Sequence, residues 1–149
     1  MRSIRVVLAE DHGLMRDAVK LVFDEAGRVV TTEGRSEFDI HLAYCAAARQ
    51  DASELPYGNI VALNEHCATL HYQYQEATAP AQSRSLLIDA GASVAGYATD
   101  ITRTYGNDDA RFQALVDAVD GVQLQLVDGV RAGVDYRDLH VQAHRLLAG

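Results

Sequence analysis

The sequence predicts an α+β fold. The opening third reads as helix, the middle changes to short β-type runs linked by reversals, and the final third returns to helical periodicity. With 149 residues, 48% of them apolar, the chain is one domain or part of a larger one and can bury a core.

The elements follow in order. "IRVVLA" (residues 4–9) is a buried-strand type of run. "GLMRDAVKLVFDEAG" then places Leu14, Ala18, Val22 and Ala26 on one helical face, with Gly27 as a stop. "RVVTT" is a short strand or the continuation of a broken helix. "SEFDIHLAYCAAARQ" is a second helix, with Ser36 as N-cap, Asp39 in its first turn, and Phe38, Leu42, Cys45 and Arg49 at helical spacing. "DASELPYG" is a loop punctuated by Pro56 and Gly58. Strands are expected at 59–63 ("NIVAL"), 69–74 ("TLHYQY"), 85–89 ("SLLID") and 96–105 ("GYATDITRTY"), with "QEATAPAQS" as a connection. Beyond them Phe112, Leu115, Val116, Val119, Leu126, Val127 and Val130 form an amphipathic stripe interrupted at Gly121. Asp135 caps a further helix, which reaches Gly149 with neither a capping strand nor a polar tail, as expected of a longer chain that has been cut.

The formal charge of −8 argues against a nucleic-acid partner, because phosphate binding needs a basic excess. No segment approaches the roughly 18 apolar residues of a membrane span, and no small-residue cleavage site follows the N-terminal apolar run. A cytoplasmic location is therefore the expectation. Cys45 and Cys67 lack CxxC spacing and are read as two buried, reduced thiols.

The chemistry concentrates in "DAGASVAGYATD", where Asp89 and Asp100 end a small, apolar stretch containing no basic residue. If the chain reverses between Val94 and Ala95, using the freedom of Gly91 and Gly96, Asp89 falls opposite Asp100 on an antiparallel pair. Directly opposed Cβ atoms lie about 4.5–5.5 Å apart. Two carboxylates at that spacing repel, so one takes a proton or a cation sits between them. Oxygen donors so arranged suit Mn²⁺, Co²⁺, Zn²⁺ or Fe²⁺, and a pair of such ions can activate a water for hydrolysis. The alternative is a pair of solvated turn residues.

The histidines divide. His66 and His71 are an odd number of positions apart, so on a strand they face opposite ways. His71 lies in an aromatic run and is either a half-buried histidine or a group that orients substrate or handles protons. His41, His140 and His144 fall on helices; His140 and His144 stand four apart, a spacing that can bind a metal. Arg103 is placed to pair with an aspartate or to remain a surface arginine.

"SEFDIHLAY", "PYGNIVALNEHCATLHY" and "RSLLIDAGASVAGYATDITRTYG" resemble the prolidase branch of the creatinase/methionine aminopeptidase-like (M24) metallopeptidase family over residues 34–149. The resemblance implies a partial pita-bread fold, an antiparallel sheet covered by helices. It further implies metal-dependent hydrolysis of Xaa-Pro dipeptides, with two divalent ions, most often Mn²⁺, on Asp89 and Asp100. It places His71 in the substrate pocket, as a stabiliser of developing charge, and it implies a possible homodimer. The family site also uses a histidine motif and two glutamates on later strands. This sequence has no glutamate after Glu76 and no such motif. Three of the five ligands and the general base are thus expected to lie outside it, with 34–149 forming the amino-terminal half of a catalytic domain.

Residues 1–33 are of uncertain origin. "SIRVVLAEDHGLMRDAVKLVFDEAG" resembles the first strand and helix of a response-regulator receiver, with Glu10 and Asp11 as its acidic pair. A receiver also needs a later lysine, and Lys20 is the only lysine, so a working phosphoreceiver is excluded. The remaining alternative to an enzyme is a non-catalytic fragment that binds or dimerises.

Overall fold

The computed structural model describes residues 34–106 and 109–148. The elements expected in residues 1–33, with Glu10 and Asp11, lie outside the described residues. The described residues divide into two compact units, 34–106 and 109–148.

In the first unit, helix α1 spans Glu37–Ala48. Ser36 caps it as expected: its hydroxyl accepts from the Asp39 N–H at 3.1 Å, while Asp39 Oδ2 accepts from the Ser36 N–H at 2.9 Å. The helix stops where Arg49 turns left-handed, at φ 54°. Its buried face is not the expected one. Ile40, Tyr44 and Ala48 enter the core, whereas Phe38 and Leu42 are exposed. Both stripes have helical spacing and both are apolar, so periodicity alone did not distinguish them.

Strands β1 (Ile60–Leu63), β2 (Ser85–Ala90) and β5 (Ile101–Gly106) form an antiparallel sheet with β2 central. Alternation along β2 sends Leu86, Ile88 and Ala90 to the face that packs on α1, with Val61, Leu63 and Leu55. Each large aliphatic side chain so buried contributes about 1.5–3 kcal/mol. The opposite face carries Ile60, Ala62 and Leu87 beneath Tyr72 and Cys67. Asp89 falls on this second face by the same alternation. A two-stranded hairpin, β3 (Ser93–Val94) and β4 (Tyr97–Ala98), extends beyond β2 and β5. The run expected as one strand over 96–105 is thus two, and the ladder is interrupted around Asp100.

The strand expected at 69–74 is absent. Residues Asn64–Ala68 form a 3-10 helix, and the chain then turns through His71, whose φ is 51°. Tyr72 is the buried anchor of this segment, stacked on His66 with ring centroids 4.5 Å apart. An aromatic-rich run reads as strand, yet here the Tyr72 hydroxyl, and Leu63, His66 and Glu76 on either side of the run, bond to the side chain of Glu37. Cys45 and Cys67 are free thiols and half-buried.

The second unit is a pair of packed helices, α2 (Ala110–Asp128) and α3 (Tyr136–Leu147). Asp109 caps α2, accepting from the N–H groups of Arg111 and Phe112 at 2.9 and 3.2 Å. Asp135 caps α3, as expected. Helix α2 runs unbroken through Gly121, contrary to the expected interruption; a helical glycine costs only about 1 kcal/mol relative to alanine.

Candidate metal centre

Asp89 and Asp100 do not face each other across the strands. Asp89 pairs with Thr102, and Ala90 with Ile101. The reversal lies at Ala95–Gly96, one residue later than expected, because both residues adopt positive φ (51° and 83°), the signature of a tight type I′ hairpin. Continuing the register sets Asp100 opposite Gly91, two places from Thr102. An even slip keeps the face, so Asp100 becomes a diagonal neighbour of Asp89 on the same side of the sheet.

The two carboxylates meet at a third residue. Tyr57 Oη lies 2.8 Å from Asp89 Oδ1 and 2.9 Å from Asp100 Oδ1. The two oxygens are therefore separated by no more than those two bonds laid end to end. Tyr57 comes from the loop between α1 and β1. Leu55 anchors that loop in the core, and Pro56 and Tyr57 press on Gly91. A Cβ at Gly91 would strike the Thr99 carbonyl oxygen and come within 2.8 Å of Pro56 and 2.9 Å of Tyr57. Glycine is required here for close approach, while the left-handed turn falls to Ala95 and Gly96.

The ladder gap beside Asp100 is closed locally. Thr99 N–H donates to the Ala92 carbonyl at 3.0 Å, and its hydroxyl accepts from the Ala92 N–H at 2.9 Å. Gln50 holds the hairpin from the end of α1: its amide donates to the Ser93 carbonyl and accepts from the Ser93 N–H at 3.0 Å.

Burial raises the Tyr57 phenol well above its ordinary pKa, and the hydrogen bonds to Asp89 and Asp100 raise it further. The group stays a donor, with one proton for two carboxylate oxygens. One oxygen is therefore always short of a donor, and a divalent cation fits that donor set. Among the described residues no cluster of three or more histidines, cysteines or carboxylates is present, so the aspartates stand as a two-ligand centre.

The other candidates separate from this pair. His71 is exposed in the turn after the 3-10 helix. Arg103 does not stand beside Asp89: it pairs in register with Ile88, on the other face from Asp89, and donates to the Thr102 carbonyl at 2.8 Å. His41 is buried in α1, with its Nε2 3.6 Å from Cys45 Sγ. His66 bonds through Nδ1 to Glu37 at 2.7 Å.

Two residues that organise this region were missed in the sequence. Tyr57 read only as part of a Pro-Gly loop, though an aromatic in such a loop is itself a signal. Glu37 drew no reading of its own, yet it is 2% exposed. Its carboxylate accepts from the Leu63 N–H at 2.8 Å, His66, the Tyr72 hydroxyl at 2.8 Å and the Glu76 N–H at 3.0 Å. Burial alone would raise its pKa. The Glu76 N–H, His66, the Leu63 N–H and Tyr72 together outweigh burial and hold it below the usual value. This one carboxylate fixes the segment on which His71 is carried.

Residues 13–149 match the family described as Metallopeptidase family M24. An Xaa-Pro dipeptidase of Xanthomonas campestris pv. campestris (strain B100) is 63% identical over 117 residues, covering 78% of this chain and 26% of that protein. One from Xanthomonas oryzae pv. oryzae (strain MAFF 311018) is 54% identical over 144 residues, covering 95% of this chain and 33% of that protein. In the crystal structure of X-Pro aminopeptidase from Thermotoga maritima MSB8 the same fold recurs, with a TM-score of 0.67 at 22% identity, over 77% of this chain and 33% of that one. The chain spans no more than about a third of the length of these relatives.

Proposed function

The chain belongs to metallopeptidase family M24, and from that premise we propose that it supplies the amino-terminal half of a metal-dependent Xaa-Pro dipeptidase catalytic domain. Residues 34–149 form that half; residues 1–33 lead into it, and the family match already begins at residue 13. The observation that carries the proposal is the convergence of Asp89 and Asp100 on the single hydroxyl of Tyr57.

In this reading Asp89 and Asp100 hold two divalent ions, Mn²⁺ foremost. When bound, the ions lower the pKa of a water and make it a nucleophile at neutral pH. Tyr57 would orient both carboxylates through its contacts with Asp89 and Asp100. Glu37 fixes the 64–76 segment, and so sets the position from which His71 meets a dipeptide ending in proline. Among the described residues no third histidine, cysteine or carboxylate joins the aspartates, so hydrolysis by the chain alone is slight. A cytoplasmic location belongs to the same proposal, alongside the finding that no described helix is long and apolar enough to cross a membrane.

The experiment is a Mn²⁺ titration of the chain followed by thermal melting, with an Ala-Pro hydrolysis assay on the same samples. Weak, saturable stabilisation that disappears in Asp89→Asn supports the reading. Vigorous Ala-Pro cleavage by this chain alone would show that no further ligands are needed, and the two-carboxylate account would fail.

A second reading, a non-catalytic surface for self-association, is favoured by one observation. Leu115, Val119, Leu124, Val127 and Val130 are all exposed in the second unit. Sedimentation across a concentration series decides it: a homodimer supports this reading, and a monomer at every concentration removes it.

A further inference from the structure

We infer that His140 and His144 form a second cation site, chemically distinct from the carboxylate pair and selective for borderline transition metals such as Ni²⁺ and Zn²⁺. Both histidines lie on α3, one turn apart, and both are exposed. Their rings meet edge to face, with centroids 4.6 Å apart and planes at 75°. The two Nε2 atoms are 3.2 Å apart.

That separation is the central observation. Zinc–imidazole bonds are about 2.0–2.1 Å long, so two neighbouring ligands at angles of roughly 90–109° have their nitrogens about 2.9–3.4 Å apart. The nitrogens already stand within that range. The two Nε2 atoms stand within hydrogen-bond distance, the donor being whichever ring carries its proton there; a cation bound between them would take both Nε2 lone pairs, with that ring's proton carried on Nδ1 instead. Little reorganisation is required, because the α-helix itself fixes the one-turn offset.

The surroundings set the type and strength of binding. Imidazole suits nickel, copper and zinc, whereas carboxylates suit manganese and magnesium. His144 and Arg145 lie in the last turn of α3, where the negative end of the helix dipole favours a bound cation. Arg137 and Arg145, on the same helix, oppose it. With no third histidine, cysteine or carboxylate clustered there among the described residues, the remaining coordination positions go to water, and the ion exchanges readily.

The test uses the full chain carrying Asp89→Asn and Asp100→Asn, so that the carboxylate pair contributes nothing. Ni²⁺ is titrated by calorimetry, and its paramagnetic broadening is followed in amide NMR spectra. The expected result is one-site binding with broadening centred on residues 136–148. His140→Gln or His144→Gln alone should weaken that binding by roughly tenfold or more, since each removes the intramolecular second ligand. Because both side chains are exposed, these variants keep the parent melting temperature, which separates loss of the site from loss of the fold. Ni²⁺ affinity unchanged by either substitution, or broadening centred on His66 or His71, would overturn the inference. Failure of Mn²⁺ binding at Asp89 leaves it untouched.

Discussion

Asp89 and Asp100 meet at one hydroxyl: Tyr57 Oη lies 2.8 Å from an oxygen of the first and 2.9 Å from an oxygen of the second. Removing that hydroxyl leaves the two carboxylates facing each other without a donor. Tyr57→Phe is expected to destabilise the metal-free chain by about 1–2 kcal/mol. The stabilisation gained on adding Mn²⁺ should rise. Paired melts with and without Mn²⁺ check both signs, and an unchanged metal-free melt would remove Tyr57 from the centre.

Removing a carboxylate has the opposite signature. Asp89→Asn or Asp100→Asn relieves repulsion, so the metal-free chain should be as stable as the parent or slightly more stable. The response to Mn²⁺ should vanish. Calorimetric titration with Mn²⁺ reads the loss directly, and parental affinity in both variants would contradict the assignment.

Gly91 tests whether the close approach of Tyr57 matters. Gly91→Ala brings a methyl group against the Thr99 carbonyl, Pro56 and Tyr57. The expected cost is about 1–3 kcal/mol. Gly96→Ala meets no atom within 4 Å; its cost arises only from φ +83° and should be smaller, about 1 kcal/mol. Urea unfolding of the two variants side by side gives the comparison.

Glu37 predicts a pH dependence. Its folded pKa lies below the ordinary glutamate value of 4.5, so its contribution is present above that value and is lost as pH falls through the lower, folded one. Glu37→Gln keeps the shape but loses the charge and leaves donors without acceptors. It should destabilise the chain at pH 7 by about 2–3 kcal/mol, and its stability should decline less than the parent's below pH 4.5. Urea denaturation at a series of pH values measures both. An identical slope in parent and variant would show that the carboxylate is not titrating as described.

Much of the fold was legible in the residues. Ser36 and Asp135 announced their helices, and "NIVAL" and "SLLID" announced their strands to within a residue, because caps and β-branched runs are local signals. What was not legible depended on contacts distant in sequence. The aromatic run around His71 is drawn out of any strand by Glu37, about thirty residues away, and nothing local records that pull. The α1 face that enters the core was hidden because two apolar stripes share one helix. At the candidate centre the aspartates and their shared face could be read, while their partner Tyr57 could not, since a loop residue gains its role only when Gly91 lets it approach. The register was wrong by two places and the face was still right.

That last point limits how the molecule can vary. Side chains alternate along the hairpin that joins β2 to β5, so one residue added or removed at Ala95–Gly96 would swing Asp100 to the side occupied by α1. Two residues would merely slide it along. Length changes in this arm are tolerable only in even steps, and a single-residue deletion there should abolish cation response more thoroughly than a longer, paired one.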